Sequence, residues 1–203
     1  MTASGILGVD AGSRTLREAD HLLAELAGRF GLPDGVMGCT HLIRTGRPHV
    51  AVSLAVADGA GPDLDLTALD LTAPDTRAPD ATAAPDGVGA ALDGRRRGPA
   101  EPAEGAELAA GEHGRTGRAV LYRGAGRLSG TLTVREILDL SAIDKITVLM
   151  GAEPAPDTLV QTRGHVRPEW RDGRLTLLTM PAGTGVLAPY EVPDPTPCCS
   201  AHP

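Results

Sequence analysis

Two thiols and an imidazole fall within the run Pro197-Cys198-Cys199-Ser200-Ala201-His202-Pro203, and a second thiol–imidazole pair, Cys39 and His41, flanks Thr40. Thiolate and imidazole are the side chains that bind zinc and softer ions such as Cu(I). Brought together, Cys39, His41, Cys198, Cys199 and His202 hold enough donors to close a four-coordinate site, with zinc or copper as the expected ion. Their spacing is not that of a structural zinc motif, in which Cys-x2–4-Cys pairs dominate, and two adjacent cysteines do not comfortably reach one tetrahedral ion. The same residues also have a plain reading. Cys39 is then a small buried hydrophobe, His41 an ordinary strand residue, and the tail a frayed segment.

Other residues suggest other chemistry. His165 and Glu169 stand four apart on one expected strand, hence on one face, with Asp157 or Glu191 able to approach them. Histidine titrates near neutral pH, so an acid–base pair can be drawn there. A cysteine thiolate is the alternative nucleophile. His21 lies beside Leu22 and Leu23 on a helix and reads as a boundary residue. The Gly124-Ala-Gly126-Arg-Leu-Ser-Gly130 run has the wrong glycine spacing for a dinucleotide site, and no acidic residue follows a second strand. Pro181-Ala-Gly-Thr-Gly185 lacks the Lys-Ser/Thr of a phosphate loop. Both read as turns.

The leading expectation is therefore a non-enzymatic protein that holds a soft or borderline metal through Cys and His. A scaffold or interaction module that meets a protein partner through its acidic linker is the second, and a small enzyme with a His/Glu or thiol site the third. A formal charge of −7 argues against general affinity for nucleic acid or an anionic membrane. Residues 1–10 lack the basic flank and apolar run of a secretion signal, and three cysteines cannot build a disulfide framework. A cytoplasmic location is expected, with no membrane partner.

The elements that must position these groups are marked by short-range signals. Thr15 and Glu18 form a Thr-x-x-Glu capping box, and Leu16, Ala19, Leu22, Leu23, Leu26 and Phe30 recur at helical spacing until Gly31 and Pro33. Val50, Val52, Leu54 and Val56 alternate with His49, Ala51, Ser53 and Ala55, as in a half-buried strand. Met37 to Arg44 is a shorter strand candidate, joined to the first by a hairpin connection. Thr133 and Glu136 open a second helix over about 134–140. Strands are expected at 119–122, 146–150, 158–163, 170–180 and 185–192, with Asp172-Gly173 setting a tight primed turn.

Aromatic residues make up only 2% of the chain, so any core must be built from Leu, Val, Ile and Ala. From 62 to 117 the composition shifts to Pro, Ala, Asp and Gly, with three Ala-Pro-Asp triplets and the run Arg95-Arg96-Arg97, which reads as a solvated patch. Alanine buries too little surface to offset the entropy of ordering such a segment. The organisation expected is a flexible N-terminus over 1–12, an α+β domain in two parts over 13–61 and 118–192, a disordered insertion over 62–117, and a Pro-rich tail over 193–203. The fold class expected is two helices packed on a mainly antiparallel sheet of about six short strands.

Overall fold

The first helix starts where the sequence places it, with one arm of the expected capping box formed and the other shifted by a residue to Arg14. In the computed structural model, which describes residues 3–57 and 87–193, helix α1 spans Leu16–Arg29 with Thr15 as its N-cap. The Thr15 side chain accepts the Glu18 amide at 3.2 Å, and Glu18 reaches back to the Arg14 amide at 2.7 Å. Ala19, Leu23 and Leu26 are buried, and Gly31, at φ 55, lets the chain turn away.

Two units make up the described residues, the first running to Arg123 and taking in Glu169–Gly173, the second comprising Gly124–Pro168 and the chain from Arg174. The first unit contains β1 (Ala3–Ser13), β2 (Gly38–Ile43), β3 (His49–Ala57), β4 (Gly89–Leu92), β5 (Arg95–Arg97), α2 (Ala100–Glu112), β6 (Arg118–Leu121) and β10 (Glu169–Arg171). Its strands lie in the order β5-β4-β1-β3-β2-β6-β10, with every neighbouring pair antiparallel. One face carries Leu7, Val9, Val50, Val52, Leu54 and Val56 against α1. The opposite face, with Gly8, Asp10, Ala51 and Ser53, lies under α2.

Helix α2 packs on this second face without large side chains. Its buried residues are Pro102, Ala103, Gly105, Ala106 and Ala109. A methyl group added at Gly8 would overlap the Ala106 carbonyl, so helix and strand backbones meet directly. Pro102 sits in the first turn, where its missing amide hydrogen costs no helical bond, and Ala103 donates to Pro99 at 2.9 Å.

The second unit holds β7 (Thr131–Thr133), α3 (Val134–Leu140), β8 (Lys145–Val148), β9 (Leu159–Gln161), β11 (Arg174–Gly183) and β12 (Val186–Pro189). Its strand order is β8-β11-β12-β9-β7. The β8–β11 and β9–β12 pairs are parallel, and the other two antiparallel. Both arms of the second capping box form between Thr133 and Glu136. Asp172 and Gly173 adopt φ 51 and 72, the doubly positive geometry of the expected primed turn.

The architecture corrects the expected fold class. Among the described residues there are three α-helices and twelve strands in mixed pairings, where two helices on a mainly antiparallel sheet of about six strands were expected. The segment expected as a long disordered loop contains β4, β5 and α2 from residue 89 onward, while 62–86 lies outside the described residues. Most of the expected flexible N-terminus is β1, which pairs with both β3 and β4. The physical reason is the small size of the packing residues: α2 is held by close approach of glycine and alanine, without a large apolar stripe for periodicity to reveal, and β1 adds Leu7 and Val9 to the core on either side of Gly8. Strand β3 is likewise covered on both faces, with Ala51 and Ser53 fully buried. Among the described residues, no helix is long and apolar enough to cross a membrane.

Candidate functional site

The face of the first unit beneath α2 gathers most of the buried titratable groups of the described residues. Alternation on β2 puts Cys39 and His41 on this face, and the register opposes Cys39 to Ser53 and His41 to Ala51. On β3 the same alternation adds His49 and Ser53, and β1 contributes Asp10. His113 caps the C-terminus of α2.

Ser53 joins two of these elements. Its Oγ, fully buried, lies 2.7 Å from His41 Nε2 and 2.7 Å from His113 Nδ1. A hydroxyl has one proton to donate, so at most one ring can accept from Ser53 and at least one must donate to it. His41 Nδ1 is buried without a hydrogen-bond partner. If Ser53 donated to His41, that Nδ1 would carry an orphaned N–H, whereas the reverse leaves only a bare lone pair, which is the smaller penalty. The arrangement assigned on this ground is His41 Nε2–H donating to Ser53 and Ser53 O–H donating to His113 Nδ1. Both rings are then neutral. Burial, reinforced by His113 and opposed by Glu112, lowers the His41 pKa to about 4, and burial lowers that of His113 to about 4.

Asp10 and His49 form a second pair of opposite character. Asp10 is fully buried; its Oδ1 accepts the Gly12 amide at 2.8 Å and its Oδ2 meets His49 Nε2 at 2.7 Å. His49 Nδ1 faces the Arg47 carbonyl, also at 2.7 Å. Both ring nitrogens thus face acceptors and both carry hydrogen, which makes the ring an imidazolium. Burial works against that charge, but the Arg47 carbonyl, the Asp10 carboxylate and Glu101 outweigh it, and the His49 pKa is raised above 6.5. Gly105 of α2 leaves the room that the Asp10 carboxylate occupies.

Cys39 is fully buried, and burial pushes its thiol up to about 12 against a smaller opposing effect of Trp170. At neutral pH Cys39 is therefore a protonated, inert thiol. Ser53 has no exposed surface to offer a substrate as a nucleophile.

Of the residues expected to bind metal, Cys39 and His41 share one face of β2, while Cys198, Cys199 and His202 lie outside the described residues. Among the described residues, no three His, Cys, Asp or Glu side chains group as a metal site requires. The expected His165–Glu169 pair does not form. His165 precedes β10 and pairs through Nε2 with Glu191 at 2.8 Å, whereas Glu169 takes Arg171 at 2.8 Å and belongs to the other unit. Asp157 is exposed, as is His21 on α1. Arg95, Arg96 and Arg97 form the exposed edge strand β5, with Arg96 paired to Glu107 of α2.

Asp10, His49, Ser53 and His113 were not singled out by sequence. The available signal was the pair of polar residues, His49 and Ser53, on the supposed solvent face of a strand otherwise made of Ala, Val and Leu. Their partners lie 39 and 60 residues away, which no local pattern reveals. The chain matches no family model, no curated protein and no solved structure.

Proposed function

We propose that the first unit is a non-enzymatic, proton-responsive interaction module in which α2 is the part that docks and releases. The observation that carries this reading is the single buried hydroxyl of Ser53 bridging His41 of β2 to His113 at the end of α2. Protonating His41 would put an N–H on its enclosed Nδ1, and protonating His113 would turn its Nδ1 from acceptor to donor. Either event breaks the donor–acceptor order of the bridge. The rest of the α2 contact is made largely by alanines, each worth about 0.8 kcal/mol per buried methyl, so the bridge is a large share of what holds the helix. The charged groups around the bridge are Glu112 and Arg115 at the helix end and the Asp10–His49 pair beside it; Cys39 stays neutral. Release of α2 would expose Ala51, Ser53 and the glycine-floored sheet to a partner.

Amide hydrogen exchange tests this reading. Between about pH 7 and pH 5, after correction for intrinsic rates, α2 should lose protection at least about tenfold more than α1, a difference of about 1.4 kcal/mol. Ser53→Ala should make α2 labile at both pH values. Equal loss in α1 and α2 would sink the proposal.

A second reading is metal binding by Cys39 and His41 with Cys198, Cys199 and His202, favoured by the bare, buried Nδ1 of His41. Neutral imidazole is a zinc and copper ligand, although a metal would have to displace the Cys39 proton. Untagged protein under reducing conditions should then carry near-stoichiometric zinc or copper, lost on Cys198→Ser with Cys199→Ser. Less than about a tenth of an equivalent, against near-complete occupancy for a structural site, would end this reading.

A further inference from the structure

The second unit has a cleft of about 430 Å³ between α3, β8, the 153–156 loop and the start of β11. That volume falls in the roughly 300–1,000 Å³ range of small-ligand sites. Its walls are fixed by hydrogen bonds that leave little to reorganise: the Arg135 amide donates to Pro156 at 2.9 Å, Asp144 and Leu175 exchange backbone and side-chain bonds at 2.8 Å, and Thr147 holds Ala152 at 3.2 Å. The capping box at Thr133 anchors the helix that forms one wall. Preorganised walls lower the cost of binding.

The charges lining this cleft divide into committed and uncommitted groups. Lys145 is bound to Glu153 at 2.6 Å, and Asp144 to the Leu175 amide. Arg135 and Asp139 also line it, are exposed, and make no ion pair or side-chain hydrogen bond among the described residues, while the exposed Arg174 faces Glu153 closely enough to help hold its carboxyl below the usual range without bonding to it. Arg135 and Asp139 stand at i and i+4 on α3, about 5–6 Å apart at Cβ, yet they do not pair. A cation N-terminal to an anion is the weaker orientation on a helix, which helps to leave both available. Between them and the sheet, Val134, Ile146, Pro154 and Pro156 supply an apolar floor.

We propose that this cleft binds a small zwitterion with an apolar side chain, an amino acid or dipeptide. Its carboxylate is taken by Arg135 and Arg174, and its ammonium by Asp139. Neighbouring opposite charges at helical i,i+4 spacing match a ligand whose own charges are only a few bonds apart, and the floor accepts the side chain. Neither a simple anion nor a simple amine satisfies both uncommitted signs.

Titration of the full chain with L-leucine and with leucyl-leucine, followed by NMR shifts or calorimetry, tests the proposal. Isovalerate, which lacks the ammonium, and isoamylamine, which lacks the carboxylate, are the comparison ligands. At least one zwitterion should bind saturably, with both comparison ligands at least about tenfold weaker. Arg135→Gln, Arg174→Gln and Asp139→Asn should each weaken the zwitterion about tenfold while leaving Tm unchanged, because all three side chains are exposed. Absence of saturation by both zwitterions at about 10 mM, equal affinity for isovalerate, or unchanged affinity in all three variants would overturn it.

Discussion

Acidification from about pH 7 to pH 5 should weaken the first unit by an amount set by His41 and His113. Their ordinary pKa of 6.5 is lowered to about 4 in the fold. Because the folded values are depressed, the unfolded chain takes up protons first. The stability these rings contribute is present above pH 6.5 and is lost as pH falls toward 4. The slope is about 1.4 kcal/mol per pH unit for each histidine in this window. By about pH 5 the loss is ~2 kcal/mol for one ring and at most ~4 kcal/mol for both, reduced by their coupling through Ser53. A domain stable by about 5–15 kcal/mol would feel this plainly. His49 behaves oppositely: its raised pKa makes its contribution complete below 6.5 and lost as pH rises through the folded value, so it works against the acid loss only above about pH 6.5 and leaves the slope between about pH 6.5 and pH 5 to His41 and His113. The assay is urea unfolding followed by the fluorescence of Trp170, the one tryptophan of the chain and part of the first unit. His41→Asn with His113→Asn should flatten the profile between about pH 6.5 and pH 5, above the range where carboxylates titrate. A flat wild-type profile, or an equal loss in the double variant, would refute the reasoning.

Three further outcomes follow from the same unit. His49→Ala should cost about 3–5 kcal/mol by leaving the buried Asp10 carboxylate without its counter-charge, and Asp10→Ala with His49→Ala should cost less than the sum of the single changes in a double-mutant cycle. Gly8→Ala should destabilise by about 1–3 kcal/mol as its methyl displaces α2 at the Ala106 carbonyl, whereas Gly126→Ala, which meets open space, should stay within about 0.5 kcal/mol; chemical denaturation compares them. In protein carrying Cys198→Ser and Cys199→Ser, Cys39 should react with a thiol reagent at neutral pH about 100-fold more slowly than free cysteine and fully in denaturant, and rapid native labelling would contradict its burial.

Local signals were read reliably where one residue acts on another a few positions away. Both Thr-x-x-Glu boxes open helices at Thr15 and Thr133, and Asp172-Gly173 takes the turn its small, polar residues favour. The alternation of β3 located its apolar face, Val50 to Val56, correctly. It did not show that His49, Ala51 and Ser53 are also covered, because the cover comes from a helix more than 40 residues later whose apolar residues are alanines. Cys39 and His41, two apart on β2, share one face, but no spacing along the chain points to Ser53, where His41 finds its partner.

By itself, then, the sequence determined those features whose energetics are local: helix starts, a primed turn, and the inner face of an alternating strand. The tertiary structure alone decided the rest. Helix α2 has too little apolar surface to announce itself, and β1 and β4, which bring Leu7, Val9, Ala90 and Leu92 to the core, meet it through glycines that admit the backbone of the helix. That contact buries Asp10, His41, His49 and Ser53 and half-buries His113. Enclosure is what makes two of the histidines neutral and the third charged, since a ring's protonation depends on the water removed and the partners supplied, neither of which is written in the spacing of residues along the chain.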